Sequence, residues 1–351
     1  MEKINIAVLF GGSSSEHEVS KASAATIITN LSEEKYNIVP IYITEAGKWL
    51  LYDGCIENVQ SVQFDKFGVS AVLSPDRTHK CLLRMVSGKV KQIPIDVAFP
   101  VLHGKNGEDG TIQGLFELAG IPFVGCGVLS SALCMDKSFT KLVAQSLNVT
   151  QAPYLVFSAF DLDDMHEVTK KIRYKIGYPC FVKPANTGSS VGVSKAKNKK
   201  TLEAALLMAA KHDQKIIVEK AVTGRELECA ILGTSGDDAA ASVVGEILPA
   251  AEFYDYDAKY NNADSRCIVP ADIPATAAEE IKTAALSLFK NLDCRGLARV
   301  DFFLEDGTDQ VIFNEINTMP GFTAISMYPL LWREMGMDTP AVLDRLIEAA
   351  Q

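Results

Sequence analysis

Residues 296–329 read GLARVDFFLEDGTDQVIFNEINTMPGFTAISMYP, and their reading decides the fold. Two strand-like apolar runs, 297–304 and 310–313, flank the pair Asp306-Gly307. Alternating apolar residues around an Asp-Gly pair predict a β-hairpin. Asp301 lies inside the first strand, and Glu315 and Asn317 follow the second. Residues two apart on an extended chain point the same way, so Glu315 and Asn317 share a face. Three oxygen donors from two adjacent strands suit a hard cation such as Mg²⁺, which keeps several waters and is completed by substrate phosphates. The implied substrate is a nucleotide triphosphate. Taken alone, Asp301 and Glu315 read equally well as solvated acids at strand ends. Arg299, two residues before Asp301, and the Gly-Phe-Thr-x-x-Ser run after Asn317 favour a site.

The chain of 351 residues has room for two or three domains with buried cores. Hydrophobic content of 48% and charged content of 22% are those of a globular protein. A net charge of −10 argues against nonspecific nucleic-acid binding. No apolar run approaches the ~18 residues of a membrane span, so no membrane partner is expected. Met1-Glu2-Lys3 leads straight into a strand with no signal-peptide pattern. Eight scattered cysteines without a C-x-x-C pair read as buried free thiols of a reducing cytosol. The five histidines show no ligand spacing with one another or with cysteine, which argues against zinc.

Upstream, residues 4–10 form a continuous apolar strand, then GGSSSEHE (11–18), then a helical stretch over 19–31. Strand, Gly/Ser turn and helix open an α/β domain, whose ligands sit at the carboxyl ends of strands. Glu16 therefore reads as a ligand-facing acid, and Glu18 as a helix-start acid matched to the macrodipole. The turn lacks G-x-G-x-x-G and is no dinucleotide fingerprint. A strand over 96–102 ends in HGKNGEDG (103–110), where His103 is a functional candidate or a histidine satisfied by loop carbonyls. The segment 50–90 carries little signal, and residues 129–147 read as one helix with Asp136-Lys137 near its middle. CFVKP (180–184) is a strand ending in lysine, and ANTGSSVG (185–192) follows it. A lysine beside a Gly-Ser-Ser loop reads as a phosphate cradle rather than a plain hairpin. G-x-x-x-x-G-K-[ST] occurs nowhere, which excludes the P-loop folds. EFYDYDAKYNNA (252–263) is too polar for core and too aromatic for an idle linker, and reads as a lid.

GGSSSEHEVS, LHGKNGEDGTIQG, FVKPANTGSSVGV, FYDYDAKY, and RVDFF followed by FNEINTMPGFT occur in this order. In these motifs nearly the whole chain resembles the D-alanine–D-alanine ligase family of the ATP-grasp superfamily. The resemblance implies an α/β fold, α+β in its nucleotide-binding part. It implies an N-terminal open parallel-sheet domain over 1–126 and a central ATP-grasp domain over 127–220. A C-terminal ATP-grasp domain over 221–351 would carry the lid and the Mg²⁺ site, with ATP between the last two domains. The implied enzyme is cytoplasmic and homodimeric, and makes D-alanyl-D-alanine through an acyl phosphate for peptidoglycan synthesis. It would take ATP as co-substrate and two Mg²⁺ ions, with Mn²⁺ as a substitute.

By position, Lys137 and Lys183 resemble the family's phosphate-binding lysines. Glu219 resembles the acid near the adenine amino group, and Glu226 the one on the ribose. Asp301, Glu315 and Asn317 resemble the ligands of the two metal ions. Glu16 matches the residue that holds the first D-alanine's ammonium. Ser189 and Tyr260 match its partners across the closed lid, and His103 matches a histidine near that substrate. Arg299 and the Gly321 N–H match the oxyanion stabilisers. Lys259, Ser326 and Met327 match the subsite for the second amino acid. Family members that use D-lactate or D-serine often carry arginine after the GFT-x-x-S serine. Met327 stands there, offers no charged donor to a hydroxyl, and favours D-alanine. The LHGKNGEDG and SSALCMDK stretches resemble D-serine-type enzymes, which keeps a D-alanine–D-serine or D-lactate ligase of the vancomycin-resistance type as the alternative. A biotin-carboxylase-like ATP-grasp ligase would have no need of Glu16 or of the 252–263 loop. A catalytically dead nucleotide-binding regulator would lack a metal ligand, and all three are present.

Overall fold

A computed structural model of the chain describes residues 3–52, 68–188, 191–234, 238–248 and 266–351. The first sheet is built around β1 (Ile4–Gly11), whose apolar run is buried from Ile6 onward. β1 pairs in parallel with β2 (Tyr36–Ile43) and with β7 (Val97–Val101), and α1 (His17–Asn30) makes the crossover. β3 (Trp49–Tyr52), β4 (Gly68–Leu73), β5 (Cys81–Val86) and β6 (Lys89–Pro94) extend the sheet by antiparallel pairs, in the order β6-β5-β4-β3-β2-β1-β7. The expected open parallel sheet is therefore mixed, parallel around β1 and a meander beyond β2. Segment 50–90 gave no strand signal because its strands bury runs or single residues rather than alternate ones: β3 buries Leu50, Leu51 and Tyr52 in succession, and β5 buries Cys81 and Leu82 and exposes its end. α2 (Thr111–Ala119) follows β7, and residues 121–124 join the sheet through an isolated bridge, Ala98 to Phe123.

The expected single helix over 129–147 is two, α3 (Val128–Met135) and α4 (Lys137–Ser146). Asp136 breaks it in an extended conformation and accepts N–H groups of Ser138 and Phe139. A carboxylate suits this N-cap because it satisfies donors the helix leaves orphaned. Lys215 Nζ lies 2.5 Å from Asp136 Oδ2, and Lys137 N–H donates to Ala185 C=O at 3.1 Å, so the start of α4 is tied to the loop after β9 (Cys180–Pro184). β8 (Tyr154–Ser158), α5 (Met165–Lys175), β9, β10 (Ser194–Ala196), α6 (Lys199–Ala209) and β11 (Lys215–Lys220) form a four-stranded antiparallel sheet with two helices, in strand order β10-β9-β11-β8.

The third sheet runs β14-β13-β12-β15-β16, antiparallel throughout, from β12 (Gly224–Gly233), β13 (Ala240–Leu248), β14 (Arg266–Ile268), β15 (Gly296–Glu305) and β16 (Val311–Asn317). α7 (Ala275–Asn291) packs Ile281, Leu288 and Phe289 against Leu227, Val300 and Phe302 of this sheet. α8 (Met327–Glu334) and α9 (Thr339–Ala350) close the chain. Phe322, Tyr328, Trp332 and Leu346 share one core with Ile6, Val8, Phe10 and Ile27 of the first sheet and α1. Each such fully buried side chain contributes about 1.5–3 kcal/mol. This shared core fixes the loops after β1 and β7 against the end of β16. Among the described residues no helix is long and apolar enough to cross a membrane. Seven described cysteines are free, and all but Cys267 are buried as expected.

Candidate active site

β15 and β16 place Asp301 opposite Glu315 and Arg299 opposite Asn317. β16 runs on through Glu315 and Asn317, which sequence alone placed beyond the strand. On the other side of Asp301, β12 presents Glu228. Directly paired residues share a face, so three carboxylates form a row across three strands. Such a row is unfavourable without cations, and two are supplied. Arg299 donates from Nε and Nη2 to the two carboxylate oxygens of Asp301, both at 2.7 Å, and its Nε lies 3.1 Å from Glu228 Oε2. Lys137 Nζ donates to Thr187 C=O at 2.7 Å and stands 3.7 Å from Glu315 Oε2. Asn317 Nδ2 donates to Asp301 Oδ2 at 3.0 Å. Among the described residues no three His, Cys, Asp or Glu side chains form a ready-made metal cage. Two acids and an amide are the set expected for a cation that keeps waters and takes phosphate oxygens, so the residues fit Mg²⁺.

A second cluster lies between β9, β11 and α4. Glu219, 5% exposed, pairs with Lys183 Nζ at 2.8 Å and with Lys141 Nζ at 3.1 Å. Burial pushes the Glu219 carboxyl up, but the two lysines outweigh it and hold it at about 2. Burial draws the Lys141 ammonium below its ordinary range against the pull of Glu219. Lys183 Nζ also reaches Asn314 Oδ1 at 3.5 Å, tying this cluster to β16. Sequence reasoning missed Lys141. Its signal was the spacing from Lys137, four residues and one helical turn away on one face.

A third group gathers at the mouths of β1 and β7. Glu16 is 6% exposed, and its carboxylate lies in a slot between two glycines. A Cβ on Gly188 would stand 2.6 Å from Glu16 Oε2, and one on Gly104 would collide with the same oxygen. His17 Nδ1 meets Gly12 C=O at 2.6 Å and its Nε2 meets the Tyr42 hydroxyl at 3.1 Å, which anchors the turn that carries Glu16. His103 is fully engaged by protein: Nδ1 donates to Met319 C=O at 2.8 Å, and Nε2 meets Ser23 Oγ at 3.0 Å. Burial pushes the imidazole below its ordinary value. Of the two readings of His103, the ring satisfied by protein groups is the one the geometry realises.

Residues 5–126 match the family described as D-ala D-ala ligase N-terminus, and residues 143–348 the one described as D-ala D-ala ligase C-terminus. The chain belongs to the D-alanine–D-alanine ligase family. The D-alanine--D-alanine ligase of Acetivibrio thermocellus is 49% identical over 99% of this chain and 96% of its own length. That of Caldicellulosiruptor bescii is 49% identical over 100% of this chain and 96% of its own. Among solved structures, the VanG D-Ala:D-Ser ligase from Enterococcus faecalis superposes with a TM-score of 0.90 at 40% identity, covering 100% of both chains. The D-alanine-D-alanine ligase from Coxiella burnetii gives 0.85 at 34% identity, covering 99% of this chain and 95% of that one.

The residues expected from the ligase-family resemblance fall into place unevenly. Lys137, Lys183, Glu219, Arg299, Asp301, Glu315 and Asn317 gather in the first two clusters. Glu226 lies on β12 opposite Phe303. Ser326 caps the start of α8, and its hydroxyl accepts the Thr323 N–H at 3.0 Å. Met327 departs from the expectation of a pocket wall. It is 4% exposed in the core shared with Leu331, and its sulfur fills the place a Cβ on Gly245 would need. A helix-start residue after a polar cap turns inward here because α8 buries that side against β13. Ser189, Lys259, Tyr260 and the 252–263 segment lie outside the described residues. Glu108, Glu228 and Ser23 escaped sequence reasoning altogether, and only Glu228 carried a signal, two residues from Glu226 on one strand face.

Proposed function

We infer that this chain is an ATP-dependent, ADP-forming ligase that joins two D-alanines to D-alanyl-D-alanine for peptidoglycan precursor synthesis. One structural observation carries the reading beyond family membership. Between Met319 and Thr323 the backbone N–H groups of Met319, Phe322 and Thr323 are taken by Glu108, Ser23 and Ser326, and Pro320 has none. Gly321 N–H alone has no partner among the described residues. A lone backbone donor in the loop that follows Asn317 is what an oxyanion developing on an acyl carbon requires.

The proposed roles follow from the three clusters. Glu16 receives the ammonium of the first D-alanine. One carboxylate oxygen of that substrate attacks the γ-phosphorus of ATP and ADP leaves, while Lys137 and Lys183 neutralise phosphate charge. Mg²⁺, when bound at Asp301, Glu315 and Asn317, supplies further neutralisation of the phosphate oxygens. The amine of the second D-alanine then attacks the acyl carbon. The oxyanion faces Arg299 and Gly321 N–H, the amine loses its proton, and inorganic phosphate leaves. The same assignment takes Glu219 and Glu226 to the adenosine, Ser189 and Tyr260 to the first substrate's closure, and Lys259 and Ser326 to the second subsite. The working form is proposed as a cytoplasmic homodimer, which sedimentation tests.

ADP release coupled to a spectroscopic assay, with and without D-alanine, tests the reaction. Release that ignores D-alanine refutes it. The superposition on a D-Ala:D-Ser ligase favours one competing reading, D-serine as second substrate. Mass spectrometry of products from an equimolar mixture of D-alanine, D-serine and D-lactate separates the two, and D-alanyl-D-alanine is the expected main product.

A further inference from the structure

The loop after β16 is held from outside its own domain. Three residues of the N-terminal domain grip it at three backbone atoms on both sides of Gly321. Met319 N–H donates to Glu108 Oε1 at 3.0 Å, Met319 C=O accepts from His103 Nδ1 at 2.8 Å, and Phe322 N–H donates to Ser23 Oγ at 3.1 Å. The proton positions are determined. Met319 C=O can only accept, so Nδ1 of the neutral His103 carries its hydrogen and Nε2 accepts from the Ser23 hydroxyl. That leaves the Ser23 oxygen to accept the Phe322 N–H. The other oxygen of Glu108 accepts the Gly104 N–H at 2.8 Å, and Gly104 walls the slot of Glu16. One carboxyl group thus joins the wall of the ammonium site to the loop that carries the lone donor.

We propose that Ser23, His103 and Glu108 are positioning residues that set Gly321 N–H, across the domain boundary, for the attack of the second amino acid on the acyl phosphate. The proposal rests on the ligase reading given above. The groups that face Glu108 support it. Burial and then the charge of Glu16 push its carboxyl up to about 8, with Arg299 and the two backbone N–H groups opposing. Glu108 grips two peptides, one through each oxygen, and its raised carboxyl leaves less negative charge beside Glu16 than two ordinary carboxylates would.

Two variants test the grip. Glu108→Gln keeps the volume, but its amide nitrogen cannot accept an N–H, so one of the two peptide contacts is lost. Ser23→Ala removes one hydroxyl and leaves His103 in place. Each is assayed for overall turnover and for the exchange of ¹⁸O between bridging and non-bridging positions of ATP, which reports acyl-phosphate formation alone. A displaced oxyanion donor costs about 10–10²-fold. The expected result is a fall in kcat of that order, a KM for ATP within about twofold, and a raised ratio of exchange to dipeptide. Exchange and dipeptide falling together, or turnover unchanged in Ser23→Ala, would overturn the proposal. Absence of any D-alanine-dependent ADP release from the unsubstituted chain would instead overturn the ligase reading.

Discussion

Replacing Lys141 with methionine tests the buried cluster that ties α4 to β11. Lys141 is 2% exposed, and its Nζ stands 3.1 Å from Glu219 Oε1. Methionine keeps the length of the side chain and removes the charge. Glu219 then keeps only Lys183, at 2.8 Å on its other oxygen. Two routes give the magnitude. Removing one partner of a buried ion pair costs about 3–5 kcal/mol, and the surviving Lys183 contact favours the lower end. Independently, Glu219 is held at about 2 against an ordinary 4.5. At ~1.4 kcal/mol per pH unit, the net depression, lysine attraction less the cost of burial, is worth roughly 3 kcal/mol. The sign is that of a depressed carboxylate. The stabilisation is complete above the ordinary value and is lost as pH falls toward about 2. Lys141→Met should lose about 2–3 kcal/mol at neutral pH, and its stability should depend less on pH in the acid range. With an unfolding entropy of ~2.1 cal/mol/K per residue, that loss lowers Tm by about 3–4 °C. Calorimetry on both chains at neutral pH and near pH ~4 is the assay. A Tm within about 1 °C of the parent and an unchanged acid slope would refute the reasoning, because Glu219 would then be satisfied without Lys141.

Glu315→Gln should leave the fold intact and remove most turnover, because the row of acids loses the one nearest Lys137; parental turnover at ordinary Mg²⁺ would sink the metal assignment. Gly188→Ala places a Cβ 2.6 Å from Glu16 Oε2. The obstacle is the tip of a flexible side chain, so Tm should hold while the KM for the first D-alanine rises about tenfold, and an unchanged KM would separate Glu16 from that substrate. Glu108 lies at about 8 against 4.5, so the folded chain keeps a proton that the unfolded chain releases. Stability should therefore fall by up to ~1.4 kcal/mol per pH unit as pH climbs through this window, and Glu108→Gln should flatten that limb in urea titrations.

The sequence carried the local chemistry further than the long-range pairing. The hairpin 296–317 was legible because an Asp-Gly turn and alternating residues are short-range signals, whereas the register shift after Asp301 that sets it opposite Glu315 was not. The break at Asp136 was missed because Leu129 to Leu147 keeps helical composition throughout. Only the competition between a capping carboxylate and helix continuation decides it, and Lys215, far along the chain, tips that balance. The antiparallel half of the first sheet was missed for a related reason. β3 and β5 bury successive residues and β6 almost none, and neither pattern leaves a hydrophobic period to read.

The site shows the same division. Residue types within one motif, such as Asp301 with Arg299 or Glu315 with Asn317, announce their chemistry by spacing. Met327 misled because the position beside a motif does not fix the direction of a side chain. α8 must bury one side against Gly245, and the residue after the cap supplies it. Met327→Arg would therefore drive a charge into a core before it altered a subsite, and a stability loss would precede any change of substrate. Discrimination in the second site has to come from groups that reach the substrate. The grip of Ser23, His103 and Glu108 on Met319 and Phe322 lies beyond sequence reading for the opposite reason. Its members are 211 to 299 positions apart from the peptides they hold, and half of every contact is backbone, which has no letter in the sequence. Such contacts can nonetheless be sought where a catalytic N–H stands alone among satisfied neighbours. An N–H left open for a substrate works only where its position is fixed, so the bonds made by its neighbours have to fix it.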